Sequence, residues 1–268
     1  MQQDQGTFLK GLKTLLNYHE AIGIDGYPLS REIQSFLQFM PTPAQEALVA
    51  PGGEAHPAVS APKIPKAAVP RPLGVKLADI AEEVVTCRAC DLHKQRIYPV
   101  VGRGPESVRL MIVGDWLSAD QEGRLPPGHL FGSEQDRMLA RMLAAINLPV
   151  DEVFITNVIK CAVPASVQPQ AVHVQSCVSY LRRQIAVLAP EAILAMGMVA
   201  ARVILEKSQP LSRLRGRFHD FEAASGLQIP VLATYHPTYL LQNPEMKQAT
   251  WSDLQLLARQ LGLAPHRG

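Results

Sequence analysis

The sequence lacks the long apolar runs and the charge bias that mark several classes of protein. No apolar run approaches the ~18–20 residues that a membrane-spanning helix requires. Residues 1–16 lack a basic segment followed by an apolar segment and a small-residue cleavage site, so we expect no secretory signal. A formal net charge of only +2 permits a nucleic-acid partner without requiring one. These absences predict a cytoplasmic protein that does not bind membranes.

Several motifs that would identify a nucleotide-binding enzyme or a hydrolase are also missing. The sequence contains no G-x-x-x-x-G-K-[ST], no G-x-G-x-x-G after a predicted strand, and no serine or cysteine nucleophile in a strand-to-helix elbow. ATPase and dinucleotide-dependent activities are therefore disfavoured. With 268 residues, 47% of them hydrophobic, the chain can still bury a sizeable core in one large domain, alone or with a small appendage.

Cysteine is scarce, and its spacing is informative. The four cysteines are Cys87, Cys90, Cys161 and Cys177. A Cys-x-x-Cys pair in a cytosolic chain usually binds a metal or does redox chemistry, and disulfides are unlikely there. Structural zinc sites usually close with two short pairs, whereas a four-iron cluster needs one sulfur at each iron corner. The spacing favours an iron–sulfur cluster and leaves open a zinc site, and also redox or unligated cysteines.

Composition divides the chain into three parts. Residues 1–40 carry apolar residues at helical spacing and predict a small helical segment. Residues 41–75 are rich in proline and alanine and predict a linker without regular structure. Residues 76–268 predict the main domain.

Short β-rich runs alternate with longer helical runs in the main domain. Strands are predicted over 109–113, 153–158, 192–197 and 230–235, and helices over 133–148, 177–188, 198–205 and 251–261. This alternation predicts an α/β fold, a three-layer αβα sandwich with a central, mainly parallel, four-stranded sheet. In such folds ligands bind at the carboxyl ends of the strands.

Polar side chains follow the predicted strands at that edge. Asp115, Asn157 and His236 come directly after or at the end of three strands, and Phe131 lies on the loop after the first one. We expect a carboxylate, an amide and an imidazole to converge there and to form the candidate site.

The segment from Cys87 to about Leu254 resembles the family 4 uracil-DNA glycosylases, the iron–sulfur branch of their superfamily. The similarity is carried by C-R-A-C-D-L at 87–92, L-M-I-V-G at 110–114, V-F-I-T-N-V-I-K-C at 153–161, Cys177, L-A-T-Y-H-P-T-Y-L-L at 232–241 and W-S-D-L at 251–254. The resemblance implies a uracil-DNA glycosylase-like fold and a [4Fe–4S] cluster held by the four cysteines. It also implies hydrolysis of the N-glycosidic bond of uracil, or a related deaminated base, in base-excision repair of DNA.

The resemblance also implies a role for each site residue. Phe131 would stack on a uracil flipped out of the DNA, and Asn157 would read its edge through the side-chain amide. His236 would donate a hydrogen bond to uracil O2 as negative charge develops there. Asp115 would orient the hydrolytic water or stabilise the sugar cation.

The first motif departs from the family pattern, which is approximately G-E-[AG]-P-G. Here Gly114 is followed by the shorter carboxylate of Asp115 and then by Trp116, whose ring would enter the pocket wall and either stack on a base or fill the pocket. The alternative is therefore a weakly active or inactive homologue that serves as a nucleic-acid or protein binding module.

Basic residues near the predicted site are candidates for contacts with DNA phosphates. They are Arg124, Lys160, Arg213, Arg215 and Arg217. We expect a monomer that acts on DNA containing uracil. No motif identifies a protein partner for residues 1–40.

Overall fold

The computed structural model describes residues 75–120, 123–125, 127–223 and 226–263. All of them lie in the second of two units, Lys66–Gly268. The predicted helical segment 1–40 and, apart from Val75, the predicted linker 41–75 lie outside the described residues. The boundary of the main domain at residue 76 stays a prediction. Among the described helices, none is both long enough and apolar enough to cross a membrane.

The described residues form α-helices and β-strands in alternation. The helices are α1 Leu77–Thr86, α2 Ser133–Ala145, α3 Ala171–Leu188, α4 Met198–Leu205, α5 Leu211–Leu214, α6 Pro237–Gln242 and α7 Lys247–Gln260. The strands are β1 Tyr98–Pro99, β2 Leu110–Gly114, β3 Val153–Asn157, β4 Cys161–Ala162, β5 Ala192–Met196, β6 Phe218–Glu222 and β7 Gln228–Thr234. Short 3₁₀ helices cover Asp91–Lys94, Val150–Glu152 and Pro244–Met246.

Five strands form the central sheet, in the order β3-β2-β5-β7-β6. The first four are parallel, and β6 pairs antiparallel with β7. Every residue of β2, β3 and β5 is buried, as expected for parallel strands covered on both faces. The predicted parallel strands are confirmed. The predicted total of four is wrong, because the half-exposed, partly polar sequence of β6 forms an edge strand without an apolar run.

Alternate side chains of the strands point to opposite faces of the sheet and build two cores. Leu110 and Ile112 of β2 belong to a core that includes residues of α2 and α7. Met111 and Val113 of the same strand belong to a second core, with residues of α3 and α4. This arrangement confirms the predicted three-layer αβα sandwich.

The strand register aligns the carboxyl ends of the parallel strands. Gly114 pairs with Asn157 of β3 on one side and with Met196 of β5 on the other. Met196 in turn pairs with Thr234 of β7. Because the chain leaves β2 for β3 on one side and later adds β5 on the other, the strand order reverses at β2. Ligands of open α/β sheets bind at such a switch point.

A small ribbon beside the sheet joins the cysteine-bearing segments. In this ribbon β1 and β4 pair antiparallel, with Pro99 opposite Cys161. Cys90 precedes the 3₁₀ helix Asp91–Lys94, and Cys177 lies within α3. The fold therefore draws together cysteines that are far apart in the sequence.

Candidate active site and cysteine cavity

Phe131, Asn157 and His236 converge at the carboxyl end of β2. The ring centroids of Phe131 and His236 are 4.8 Å apart, with their planes inclined at 56°. A Cβ atom built on Gly114 would lie 2.9 Å from Phe131 Cζ and 2.5 Å from Asn157 Oδ1. Only glycine permits so close an approach. The structure thus brings together three of the residues that the sequence analysis selected.

Asn157 is fully buried, and only one end of its amide has a protein partner. Nδ2 donates to the carbonyl oxygen of Leu130 at 2.6 Å. Oδ1 is buried and has no hydrogen-bond partner within the part of the chain that the structure describes. Leaving a buried acceptor unpaired costs about 1–3 kcal/mol, so such an atom calls for a functional explanation. The Leu130 carbonyl fixes the amide so that Asn157 presents an acceptor to the site.

His236 presents the complementary donor. It is the N-cap of α6, and its Nδ1 accepts a hydrogen bond from Thr238 N at 3.2 Å. The ring proton therefore resides on Nε2, which is buried and has no hydrogen-bond partner in the described ranges. Burial lowers the pKa of His236 to about 4. The site consequently holds a neutral imidazole with an unused N–H.

The carboxylate of Asp115 lies against the start of α4. Its Oδ1 accepts a hydrogen bond from Ala200 N at 2.7 Å, and a Cβ atom on Gly197 would lie 2.6 Å from its Cγ. The helix dipole favours an anion at this position. Burial nevertheless raises the pKa of Asp115 to about 7, against the effect of the helix amides. Asp115 therefore caps a helix, and its predicted catalytic role stays a prediction.

Trp116 lies on the cysteine side of the chain. The segment after β2 runs beside the segment after β3, with Ile159 N donating to Asp115 O at 3.1 Å. This pairing directs the half-buried Trp116 ring toward a small core that contains Cys161 and Cys177. The packing partners of Trp116 belong to the cysteine region, and its predicted role in the wall of the base pocket stays a prediction.

The buried position of the Lys160 side chain contradicts the prediction that Lys160 contacts a DNA phosphate. Its side chain is only 2% exposed. Its Nζ donates to Thr156 Oγ1, Asn157 O and Gln184 Oε1, each at 2.7 Å. Burial lowers the pKa of Lys160 to about 7. An ammonium enclosed by three protein oxygens cannot reach DNA, and it instead fixes the backbone beside Asn157.

Arg215 is likewise engaged inside the protein. Its Nε and Nη2 donate to Oδ2 of the fully buried Asp253 at 3.1 and 2.9 Å, and Nη2 also donates to Ala249 O. The guanidinium lies 5.3 Å from the ring centroid of Tyr235. These contacts contradict the predicted phosphate role and place Arg215 beside the residue that precedes His236. Arg213 is exposed, and its phosphate role stays a prediction.

All four cysteines line one small cavity. The other residues that line it are Val84, Ala89, His93, Arg96, Lys160 and Ser176. All four cysteines are free thiols. Within the ranges that the structure describes, no three His, Cys, Asp or Glu side chains are placed to hold a single metal ion. A zinc ion needs ligands at ~2.3 Å from one point, whereas a four-iron cluster is a larger body with a thiolate at each corner. Four thiols around one cavity equal the number of ligands that a four-iron cluster uses.

The surroundings of the thiols suit metal binding. Burial raises the pKa of Cys177 to about 11 and also raises the pKa of Cys161. Such thiols keep their protons at neutral pH and lose them when a metal binds. Arg96 Nη1 lies 4.0 Å from Cys161 Sγ and also donates to Val84 O at 3.2 Å. Arg96 therefore joins the end of α1 to Cys161 and supplies positive charge.

Two residues with a part in these sites were missed by the sequence analysis. Arg96 follows the Cys-x-x-Cys segment, and its position close to the cysteines was an available signal. Asp136, in the first turn of α2, accepts hydrogen bonds from Leu130 N and Phe131 N. Nothing in the spacing of Asp136 indicated these contacts.

The sequence model of the uracil DNA glycosylase superfamily matches residues 101–255, which include Phe131, Asn157 and His236. The chain belongs to the uracil DNA glycosylase superfamily. The predicted membership of this superfamily is confirmed.

Curated superfamily relatives cover most of the described residues. The Type-4 uracil-DNA glycosylase of Archaeoglobus fulgidus is 33% identical over 190 residues, which are 69% of this chain and 94% of that protein. The Type-4 enzyme of Thermotoga maritima is 28% identical over 179 residues, 66% of this chain and 90% of that protein. The Type-5 enzyme of Pyrobaculum aerophilum is 30% identical over 159 residues, 54% of this chain and 68% of that protein.

Proposed function

We propose that this chain is a DNA repair enzyme that hydrolyses the N-glycosidic bond of uracil, or of a related deaminated base, in DNA. One observation carries the proposal: two buried polar atoms beside Phe131, Asn157 Oδ1 and His236 Nε2, have no hydrogen-bond partner among the described residues. One is an acceptor and the other a donor. Uracil offers the matching pair on adjacent ring atoms, the N3–H donor and the O2 acceptor.

The same pair of atoms discriminates against cytosine. N3 of cytosine is an acceptor, and it would face Asn157 Oδ1 without a proton between them. A site that is built to hydrogen-bond a group rejects an analogue lacking that group by a factor of about 10⁴ or more, because its buried polar atoms stay unpaired. The carbonyl of Leu130 enforces this choice by holding Asn157 Nδ2.

The mechanism follows from the charges that bond cleavage creates. The nucleotide first leaves the base stack, which costs a few kcal/mol, and the base enters the site beside Phe131. As the bond between C1′ and N1 breaks, both electrons move to uracil, and negative charge builds on O2. His236 donates its Nε2 proton in a hydrogen bond to this oxygen. Water then attacks C1′, and the proton that it loses neutralises the uracil anion, which leaves an abasic sugar and free uracil.

We also propose that Asp115 stabilises the positive charge on the sugar or orients the attacking water. Support comes from its position directly after Gly114, at the sheet edge that carries Asn157. Its capping bond to Ala200 N uses Oδ1.

We infer that Cys87, Cys90, Cys161 and Cys177 hold a [4Fe–4S] cluster. The cavity that the four cysteines share supports this inference. When bound, the cluster supplies a cross-link between three separate segments of the chain. It holds the segment after α1 against β4 and α3, and β4 follows closely on Asn157.

The proposed function is tested by an assay for base release. The purified protein is expected to release uracil from single-stranded DNA or from a U·G pair, leaving an alkali-labile abasic site. Iron and acid-labile sulfide are measured on the same sample, and the same oligonucleotide with thymine in place of uracil is the control. No release at high enzyme excess with intact iron content would contradict the proposal. Salt-dependent DNA retardation without release would favour the binding-module alternative.

Uracil release is expected to increase with pH around neutrality. The pKa of Asp115 is about 7, so its charged form increases from about pH 6 to pH 8. The pKa of His236 is about 4, so the imidazole stays neutral throughout this range and adds no slope. Single-turnover rates across this range measure the profile. The pKa of Lys160 is also about 7, and Lys160 is present in both the unsubstituted protein and Asp115→Asn, so the part of the slope that Asp115→Asn removes is assigned to Asp115. An equal slope in the two proteins would contradict the role of Asp115.

The contribution of Asp115 to the free energy of unfolding should fall as the pH rises, whereas the rate of uracil release should increase. Its pKa of about 7 in the folded protein lies above the ordinary value of 3.8. The folded state therefore binds the proton more tightly, and this contribution is lost as the pH rises through about 7.

A further inference from the structure

A carboxylate on α2 organises the loop that leads to the base site. Asp136 lies in the first turn of this helix, with its side chain 17% exposed. Its Oδ2 accepts a hydrogen bond from Leu130 N at 3.1 Å, and its Oδ1 accepts one from Phe131 N at 3.0 Å. One side chain thus holds two consecutive amides of the loop.

Each of these two loop residues controls one recognition element. The ring of Phe131 rests against His236, with centroids 4.8 Å apart. The carbonyl oxygen of Leu130 accepts the hydrogen bond from Asn157 Nδ2 at 2.6 Å. The two bonds to Asp136 therefore set both the position of the aromatic ring and the orientation of the amide.

Asp136 is itself held in place by His129, which directly precedes Leu130 in the loop. His129 Nδ1 lies 2.9 Å from Asp136 Oδ2, and its Nε2 lies 3.2 Å from Ser133 Oγ. Gly132, which separates Phe131 from the helix, has a φ of +118°, a conformation that glycine adopts readily. The carboxylate is therefore fixed on both sides, as expected of a group that fixes others.

We propose that Asp136 is a positioning residue for base selection, which keeps the oxygen of the Asn157 amide directed at the base. This inference rests on the proposed function. Without the carboxylate, the amides of Leu130 and Phe131 lose their acceptors, and the Leu130 carbonyl no longer holds Asn157 Nδ2. The amide can then rotate and present its NH₂ group. That orientation suits N3 of cytosine, an acceptor, and opposes N3–H of uracil.

The test compares Asp136→Ala with Glu134→Ala in the full-length protein. Glu134 is an exposed acid in the same turn, and it pairs with Arg137 at 2.8 Å, so its replacement removes an equal charge without removing the loop contact. The readouts are the dissociation constants of free uracil and free cytosine and the single-turnover rate of uracil release. A displacement of about 1 Å can cost 10²-fold in rate, and we expect a loss of this order for Asp136→Ala. Uracil affinity should fall about tenfold or more while cytosine affinity does not fall.

The outcomes separate this inference from the proposed function. If Asp136→Ala and Glu134→Ala bind uracil with the same affinity as each other, and cytosine likewise, the role of Asp136 is overturned. Uracil release by the unsubstituted protein would still leave the proposed function intact. An unsubstituted protein that neither binds nor releases uracil would overturn both. Should Asp136→Ala fail to fold, Asp136→Asn replaces it. Asp136→Asn retains one acceptor and should show the same change in selectivity to a smaller extent, so a selectivity equal to that of the unsubstituted protein would overturn the inference.

Discussion

Uracil release by the His236→Ala variant is expected to fall by about 10²- to 10³-fold in single turnover. The substitution removes the only donor that we assign to uracil O2, and removing one such donor costs about this much in other enzymes. Because the imidazole is neutral and buried, the loss comes from the missing hydrogen bond and not from a missing charge. Binding of DNA should change much less, since phosphate contacts supply much of the affinity.

A second buried histidine provides the control for this experiment. His219 is 8% exposed, and its Nε2 lies 2.7 Å from Leu214 O, away from the residues assigned to the base. His219→Ala should leave the single-turnover rate within about threefold, whatever it does to stability. Asn157→Asp should lower the rate by about 10²-fold, because it loses the donor to Leu130 O and sets a negative charge beside an anionic leaving group. A fall of less than threefold for both His236→Ala and Asn157→Asp would mean that the site lies elsewhere.

Replacement of Cys161 by serine is expected to remove the iron and most of the activity. Cys161 lies in β4, opposite Pro99 of β1, and its sulfur lines the shared cavity. A cluster held by three thiolates has lost a corner ligand, so iron should fall from about four atoms per chain toward zero, with loss of the visible absorbance. Because metal binding and folding are coupled, the melting temperature should fall as well.

Ser176→Ala is the matched control for the cysteine variant. Ser176 lines the same cavity, but its hydroxyl donates to Val172 O within α3. This variant should keep its iron and its rate of uracil release. A Cys161→Ser protein with full iron content and an unchanged rate would contradict the assignment of Cys161 as a ligand.

The parallel strands and the convergence of Asn157 and His236 could be predicted because they depend on local signals. Continuous apolar runs such as residues 110–114 indicate buried parallel strands, and the polar residue that ends each run lies at one edge of the sheet. Asn157 and His236 were found in this way. Helix α3 begins at Ala171 and not at the predicted residue 177. The prediction missed its first turn since His173, which is polar but buried there, does not continue the apolar pattern. The edge strand β6 has no apolar run and gave no local signal.

The errors concern long side chains whose partners are distant in the sequence. Lys160 looks like a phosphate ligand until Gln184, on α3, is seen to accept a hydrogen bond from its Nζ. Arg215 looks free until the fold brings the buried Asp253 to it. Periodicity and composition carry no information about such pairs, because the partner is chosen by tertiary packing. The loop contacts of Asp136 escaped prediction for a related reason, since they depend on a backbone turn.

Only three residues separate Asn157, which faces the base, from Cys161, which faces the cavity. The last of the three, Lys160, lines that cavity and also bonds the backbone of Asn157. The proposed base site and the proposed cluster site are therefore joined through one short segment of backbone. On this proposal, an oxidant that destroys the cluster would weaken base recognition without modifying Asn157 or His236.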